Sequence, residues 1–201
     1  QKTFPKVPHL LSALAGPLAV EGGASGESHD LWTRILLPGE WDTSPFAIAA
    51  QPDESQQVDV LNMFNDSHAG GGTGTLAQTG LTGFGMAGPL TFSSTNFGEP
   101  ASVLGGISFG GIRFNGTAFV TDPNLTTLEV VNLMLGTGDD SLTITGSATP
   151  GVDLSTNVAA LHGGLTVVQG GAGNDRVTVT GGGGPGAPLV VYGDTSQDGS
   201  W

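Results

Sequence analysis

Along most of the chain the apolar residues come in short runs, split by Gly, Asp, Asn and Ser. Val58 to Phe64 reads V-D-V-L-N-M-F, and Glu129 to Leu135 reads E-V-V-N-L-M-L. Leu142–Thr143–Ile144–Thr145, Leu165 to Val168, Val177 to Thr180 and Leu189 to Tyr192 have the same character. Thr and Val at alternate places suit a pleated strand with one buried side. Helical periodicity is nearly absent. Only Pro8 to Ala15 predicts a short helix, and Gly16–Pro17 stops it. The pattern predicts an all-β fold.

The runs repeat. Glu129 to Asp140 reads E-V-V-N-L-M-L-G-T-G-D-D, and Gly164 to Asp175, 35 residues later, reads G-L-T-V-V-Q-G-G-A-G-N-D. Each is followed by a strand ending in Thr-x-Thr and then Gly, so the unit is strand, Gly-rich acidic turn, strand, loop. Asp59 to Met63 matches Glu129 to Leu133 at an offset of 70. Pro17 to Gly22 also matches Pro188 to Gly193, at 171, which suggests one period of a longer super-repeat. One such unit cannot bury its apolar face alone and must stack on its neighbours. The expectation is a right-handed parallel β-solenoid, a β-helix or β-roll. A β-sandwich is the alternative, and the Gly-Asp turns between closely paired strands favour the solenoid. Leu76 to Asn124 fits no repeat, and its apolar runs read as hairpins or as an insertion. Three regions follow: an N-terminal linker with a partial repeat over 1–57, a β-rich repeat with an irregular insertion over 58–128, and solenoid repeats over 129–201.

Charge narrows the function. Eighteen acidic residues against 5 basic ones give −13. That argues against nucleic acid, which needs clustered Lys and Arg, and against anionic lipid. The absence of cysteine excludes disulfides, Cys–zinc sites and thiol catalysis, and fits a secreted bacterial protein. No run of about 18 apolar residues is present to insert in a membrane. Gly makes up 35 of 201 residues, more than twice the usual ~7%. The first and last residues read as cut ends of a longer chain.

Gly170 to Thr178 reads G-G-A-G-N-D-R-V-T and fits G-G-x-G-x-D-x-U-x at every fixed place. Leu135 to Thr143 reads L-G-T-G-D-D-S-L-T and fits except that Leu135 replaces the first Gly. These segments resemble the RTX, or hemolysin-type, calcium-binding repeats. Val58 to Phe64, Gly74 to Met86 and Leu128 to Thr145 resemble units of very large repetitive bacterial surface or secreted proteins. The resemblance implies Ca²⁺ held between the turns of stacked coils. Gly136, Gly138, Asp139 and Asp140 of one turn would face Gly171, Gly173, Asn174 and Asp175 of the next. Gly193 to Gly199 is a degenerate third turn carrying Asp194 and Asp198, and Gly22 to Asp30 is its counterpart one super-repeat earlier. Ca²⁺ wants 6–8 oxygens, Gly admits positive φ and turns carbonyls inward, and Asp supplies carboxylates. The chain departs from RTX rolls in one respect: its copies lie 35 residues apart instead of in immediate succession. The plain alternative is that Gly-Asn-Asp makes a tight turn, with Asp bonding backbone.

Other motifs carry less. His29–Asp30 and Asp66–Ser67–His68 invite a catalytic reading, but no G-x-S-x-G or H-E-x-x-H supports one. Adjacent carboxylates such as Asp53–Glu54 do not set a glycosidase separation, and five basic residues line an acidic-sugar cleft poorly. Thr143–Ile144–Thr145 and Thr178–Val179–Thr180 would present outward Thr, a match to an ice or glycan lattice only if stacked in larger number. Asn65, Asn115 and Asn124 head N-x-[ST] triplets, and Trp32, Trp41 and Trp201 are candidates for stacking on sugar, with local packing the plainer reading for Trp32 and Trp41. The sequence therefore points to a structural, calcium-stabilised extracellular or cell-surface segment: adhesin stalk, surface layer or filament subunit. Its partners would be neighbouring repeats or identical subunits. A glycan- or ice-binding adhesin module and a polysaccharide-acting enzyme are the alternatives.

Overall fold

The computed structural model describes residues 7–20, 22, 39, 58–92, 101–103, 105–114, 119–126, 128–150 and 164–194. In chain order the strands are β1 (Leu18–Ala19), β2 (Val60–Phe64), β3 (Thr73–Ala77), β4 (Gly80–Gly83), β5 (Leu90–Phe92), β6 (Ala101–Val103), β7 (Ile107–Ser108), β8 (Gly110–Phe114), β9 (Phe119–Thr126), β10 (Val130–Met134), β11 (Ser141–Ile144), β12 (Leu165–Gly171), β13 (Arg176–Val179) and β14 (Leu189–Asp194). The fold is all-β. The helix expected over Pro8–Ala15 is a single 3₁₀ turn, Leu11–Ala13, entered from an extended Leu10. Eight residues are too few to hold a helix unaided, and the segment is shaped instead by Leu11, which is drawn into the core.

Two larger sheets organise the chain. One runs β14-β12-β10-β2, and the other β1-β7-β4-β3-β11-β13. Every pairing in the first is parallel, as are β3–β11 and β11–β13 in the second. Three times a strand of the first sheet passes through a turn into a strand of the second: β2 to β3, β10 to β11 and β12 to β13. Val130 lies between Val60, 70 residues earlier, and Leu165, 35 later. Ser141 lies between Thr73, 68 earlier, and Arg176, 35 later. The difference, 70 − 68 = 2, means that the first turn carries two more residues than the second.

Alternation decides what is inside. β10 and β11 bury every second residue, and Val131, Leu133, Leu142 and Ile144 are 0–1% exposed. Such burial stabilises by about 1.5–3 kcal/mol per side chain. At the Leu142 position the preceding unit has Gly74. The space is filled by the buried ring of Phe84, which lies over Gly72 and Gly74. Phe84 takes a left-handed φ of 48° to reach it, a conformation rare for bulky residues and held by the surrounding packing.

The stretch that fits no repeat contains antiparallel pairs: β4 turns back on β3, β5 pairs with β6, and β8 pairs with β9. The similarity at offset 171 is not echoed in position. β1 pairs with β7 in the six-stranded sheet, whereas β14 lies at the edge of the four-stranded one.

Candidate functional site

The turns before β11 and β13 lie one over the other, and their glycines let the backbones touch. A Cβ on Gly136 would meet His68 O at 2.1 Å, and one on Gly138 would meet the Gly70 backbone at 2.3 Å. Gly173 faces Gly138, and Gly171 faces Gly136 with φ at 92°. The Gly136 carbonyl accepts the Ala172 N–H at 3.1 Å.

The aspartates bind amides across this contact. Asp140 is 2% exposed. Its Oδ1 accepts the Gly72 N–H of the preceding turn at 2.7 Å, and its Oδ2 accepts the Gly136 N–H of its own turn at 3.2 Å. The Asp140 N–H in turn donates to Asp175 Oδ1 of the following turn at 2.9 Å. Asp139 works in the opposite sense: its Oδ1 accepts the Asn174 N–H at 2.8 Å and lies 3.4 Å from Asn174 Nδ2. Each of the two later turns thus hands a carboxylate to the other. Bonds from N–H to an ionised acceptor are about twice as strong as neutral ones.

Asp175 Oδ2 is the exception. It is shut off from solvent and has no hydrogen-bond partner. Burial pushes the Asp175 carboxyl above its ordinary range, the Asp140 amide pulls it back, and the charges of Asp140, Asp194 and Asp139 push it up again. Asp194 ends β14 opposite Gly171 and is exposed. Asp198 lies outside the described residues, as do Asp30 and all of the Gly22–Asp30 turn except Gly22.

At Asp140 both oxygens already accept an N–H, so an ion there would share them through their second lone pairs. The Gly136 carbonyl is likewise engaged. Among the described residues no three carboxylate or imidazole side chains converge on one point. The carboxylate oxygen left without any partner among the described residues is Asp175 Oδ2, near which the Gly193 carbonyl also approaches.

The raised pKa of Asp175 has a direction that can be measured. A carboxyl whose folded pKa exceeds its unfolded one destabilises the fold at neutral pH, and that penalty disappears as pH falls through the raised value to the ordinary range. Asp175→Asn keeps an oxygen for the Asp140 amide and removes the charge. It is therefore expected to melt higher than the parent at pH 7, with the gap closing towards pH 4. Asp175→Ala, which also loses the amide bond, is expected to melt lower at pH 7. Melts of the three proteins across pH 4–8 check this, and a gap that widens on acidification would contradict it.

Several residues of the turns carry no signal in the motif. Glu129 Oε2 accepts the Asp59 N–H at 2.8 Å, repeating the carboxylate-to-amide contact at the other end of the strands. Asn132 Nδ2 donates to Asn62 Oδ1 at 2.8 Å. Both pairs sit in the segments that match at offset 70, and only that match hints at them. Asp66 is met by His9, 57 residues away, at 3.0 Å. The Ser67 hydroxyl accepts the His9 main-chain N–H, so Asp66 and Ser67 clasp the N-terminal segment. His68 Nδ1 is buried without a partner. Asn65 is 1% exposed and accepts the Leu11 N–H, which leaves it closed to a glycan. His29, Asp53, Glu54, Trp32, Trp41, Trp201 and Asn115 lie outside the described residues.

No protein-family model, no curated protein and no solved structure matches this chain.

Proposed function

We propose that the chain is a right-handed parallel β-solenoid segment with a structural role, as a stalk, surface layer or filament element of an extracellular or cell-surface bacterial protein. The observation that carries the reading is the register. Residues 35 apart lie side by side in both sheets, always parallel, with strands that alternate inward and outward residues. Consecutive sandwich strands would pair antiparallel. Extracellular placement draws on the cysteine-free, acidic composition and on the RTX-like turns. In this reading the acidic turns act as clasps, and neighbouring units are the natural partners.

A second reading keeps calcium at one place. Asp175 Oδ2, unpartnered and beside further acidic charge, is the oxygen that an ion would satisfy, with Asp194 and the Gly193 carbonyl nearest to assist.

Melting with EDTA, then with millimolar Ca²⁺ or Mg²⁺, tests both. Amide-bound clasps predict a cooperative β-sheet melt in EDTA. A chain unfolded in EDTA that folds only with Ca²⁺ would sink the clasp reading. A Ca²⁺-specific rise in Tm that vanishes in Asp175→Ala would establish the second reading, since ligand binding to the folded state alone raises stability.

A further inference from the structure

Among the described residues the core is open at one end of the stack. Val179 is 52% and Val191 is 38% exposed, although they stand beside Ile144 and Val168, both 0% exposed, in the adjacent strands. β13 and β14 are the outermost strands of their sheets among the described residues. The opposite end differs: there β4 turns back antiparallel on β3 and is covered in turn by β7, so the six-stranded sheet ends in the two-residue β1, while β2 is the edge of the other sheet among the described residues.

We infer that the β13–β14 end is a docking surface for one more turn and strand of the same chemistry, carried on from β14, with a parallel strand of alternating Val/Leu/Thr laid on β13 and an aspartate closing the turn. The inference rests on the solenoid reading. Its ground is continuity with the interfaces already present. The amide of Gly72 is taken by Asp140 and the amide of Asp140 by Asp175, always at the position just before the second strand of the unit. Asp175 holds that position in the last such turn, and its amide is where the next aspartate belongs. A whole second copy fits this end badly. Head to tail, it would bring the edge strand β1, only two residues long, against the four-residue β13. Tail to tail, it would set Asp175 and Asp194 against their own copies, with Arg176 as the nearby cation on each side. The piece that fits is thus a turn and strand joined covalently to β14, which supplies the first strand of the unit.

The test replaces residues 195–201 with a second copy of the segment Ala172–Thr180, giving β14 a turn and a strand to lay on β13. The expected result is a Tm about 5 °C above that of the 1–201 chain, a shift on the scale of covering two valines in a protein of this size, with weaker binding of an apolar dye. Asp175→Ala in the copied segment alone removes most of the gain. Val191→Lys, harmless in the 1–201 chain where the side chain is exposed, also removes it. An unchanged or lower Tm overturns the inference, as does a 1–201 chain that is dimeric by light scattering and covers Val191 by itself. Hydrogen exchange separates the two levels. Fast exchange of the β10 and β12 amides in the 1–201 chain would refute the solenoid reading itself, whereas slow exchange with no gain in Tm refutes the docking alone.

Discussion

Asp140→Ala is expected to destabilise the protein by about 3–5 kcal/mol, because it strands two amides that a buried carboxylate now satisfies. Gly72 N–H loses its acceptor on Asp140 Oδ1, and Gly136 N–H loses Oδ2. Asp140 is 2% exposed, so water cannot readily replace either bond. Asp140→Asn separates charge from geometry. Its oxygen still serves Gly72, but its NH₂ then points at the Gly136 N–H, and a loss of about 2 kcal/mol is expected. In a chain of this length the Ala variant should melt roughly 8–15 °C lower. Urea unfolding monitored by far-UV circular dichroism gives the free energies directly. A loss under about 0.5 kcal/mol for Asp140→Ala, the range of an ordinary surface substitution, would mean that this carboxylate does not clasp the turns.

The second large effect concerns the backbone contact beneath that clasp. Gly171 has φ at 92°, and a Cβ there would lie 2.1 Å from the Gly136 carbonyl oxygen. Alanine meets two obstacles: a left-handed conformation worth about 1–2 kcal/mol and an overlap with main chain, which moves less readily than a side-chain tip. Separating the turns to make room would lengthen the Ala172-to-Gly136 bond and loosen the Asp139 and Asp175 contacts together. Gly171→Ala is expected to lose about 3–5 kcal/mol. Gly186 is the control, since a Cβ there meets nothing within 4 Å. Gly186→Ala is expected to be neutral or stabilising by up to about 1 kcal/mol. Equal effects at the two positions would show that glycine serves the turns by flexibility alone.

Much of this arrangement is legible in the residue order, and the missing parts share a cause. The strands around Val130, Leu142, Leu165 and Val177 are written in the alternation, and the 35-residue spacing sets which of them lie together. The turn glycines and the aspartates that meet are legible as well. The direction of the aspartate lone pairs is not. An aspartate can serve a cation or an amide with the same oxygens, and the sequence does not show that the Gly72, Gly136 and Asp140 N–H groups stand against Asp140 and Asp175. Phe84 escapes for another reason: it substitutes for the missing side chain of Gly74 from across a hairpin, at a φ that propensity disfavours. His9 meets Asp66 across 57 residues, through a segment whose local pattern suggests a helix. Contacts that span unrelated segments leave no periodic trace.

The unequal spacing of the parallel strands has a mechanical consequence. Strands joined edge to edge carry a pull along the stack one ladder at a time, so the molecule yields by peeling from an end. Peeling β14 from β12 releases 23 residues (Thr166 to Leu189), peeling β12 from β10 releases 35, and peeling β10 from β2 releases 70. At about 3.4 Å per extended residue these are lengths of roughly 80, 120 and 240 Å. A tether built this way lets out slack in growing increments under load, and each clasp that reforms takes one increment back.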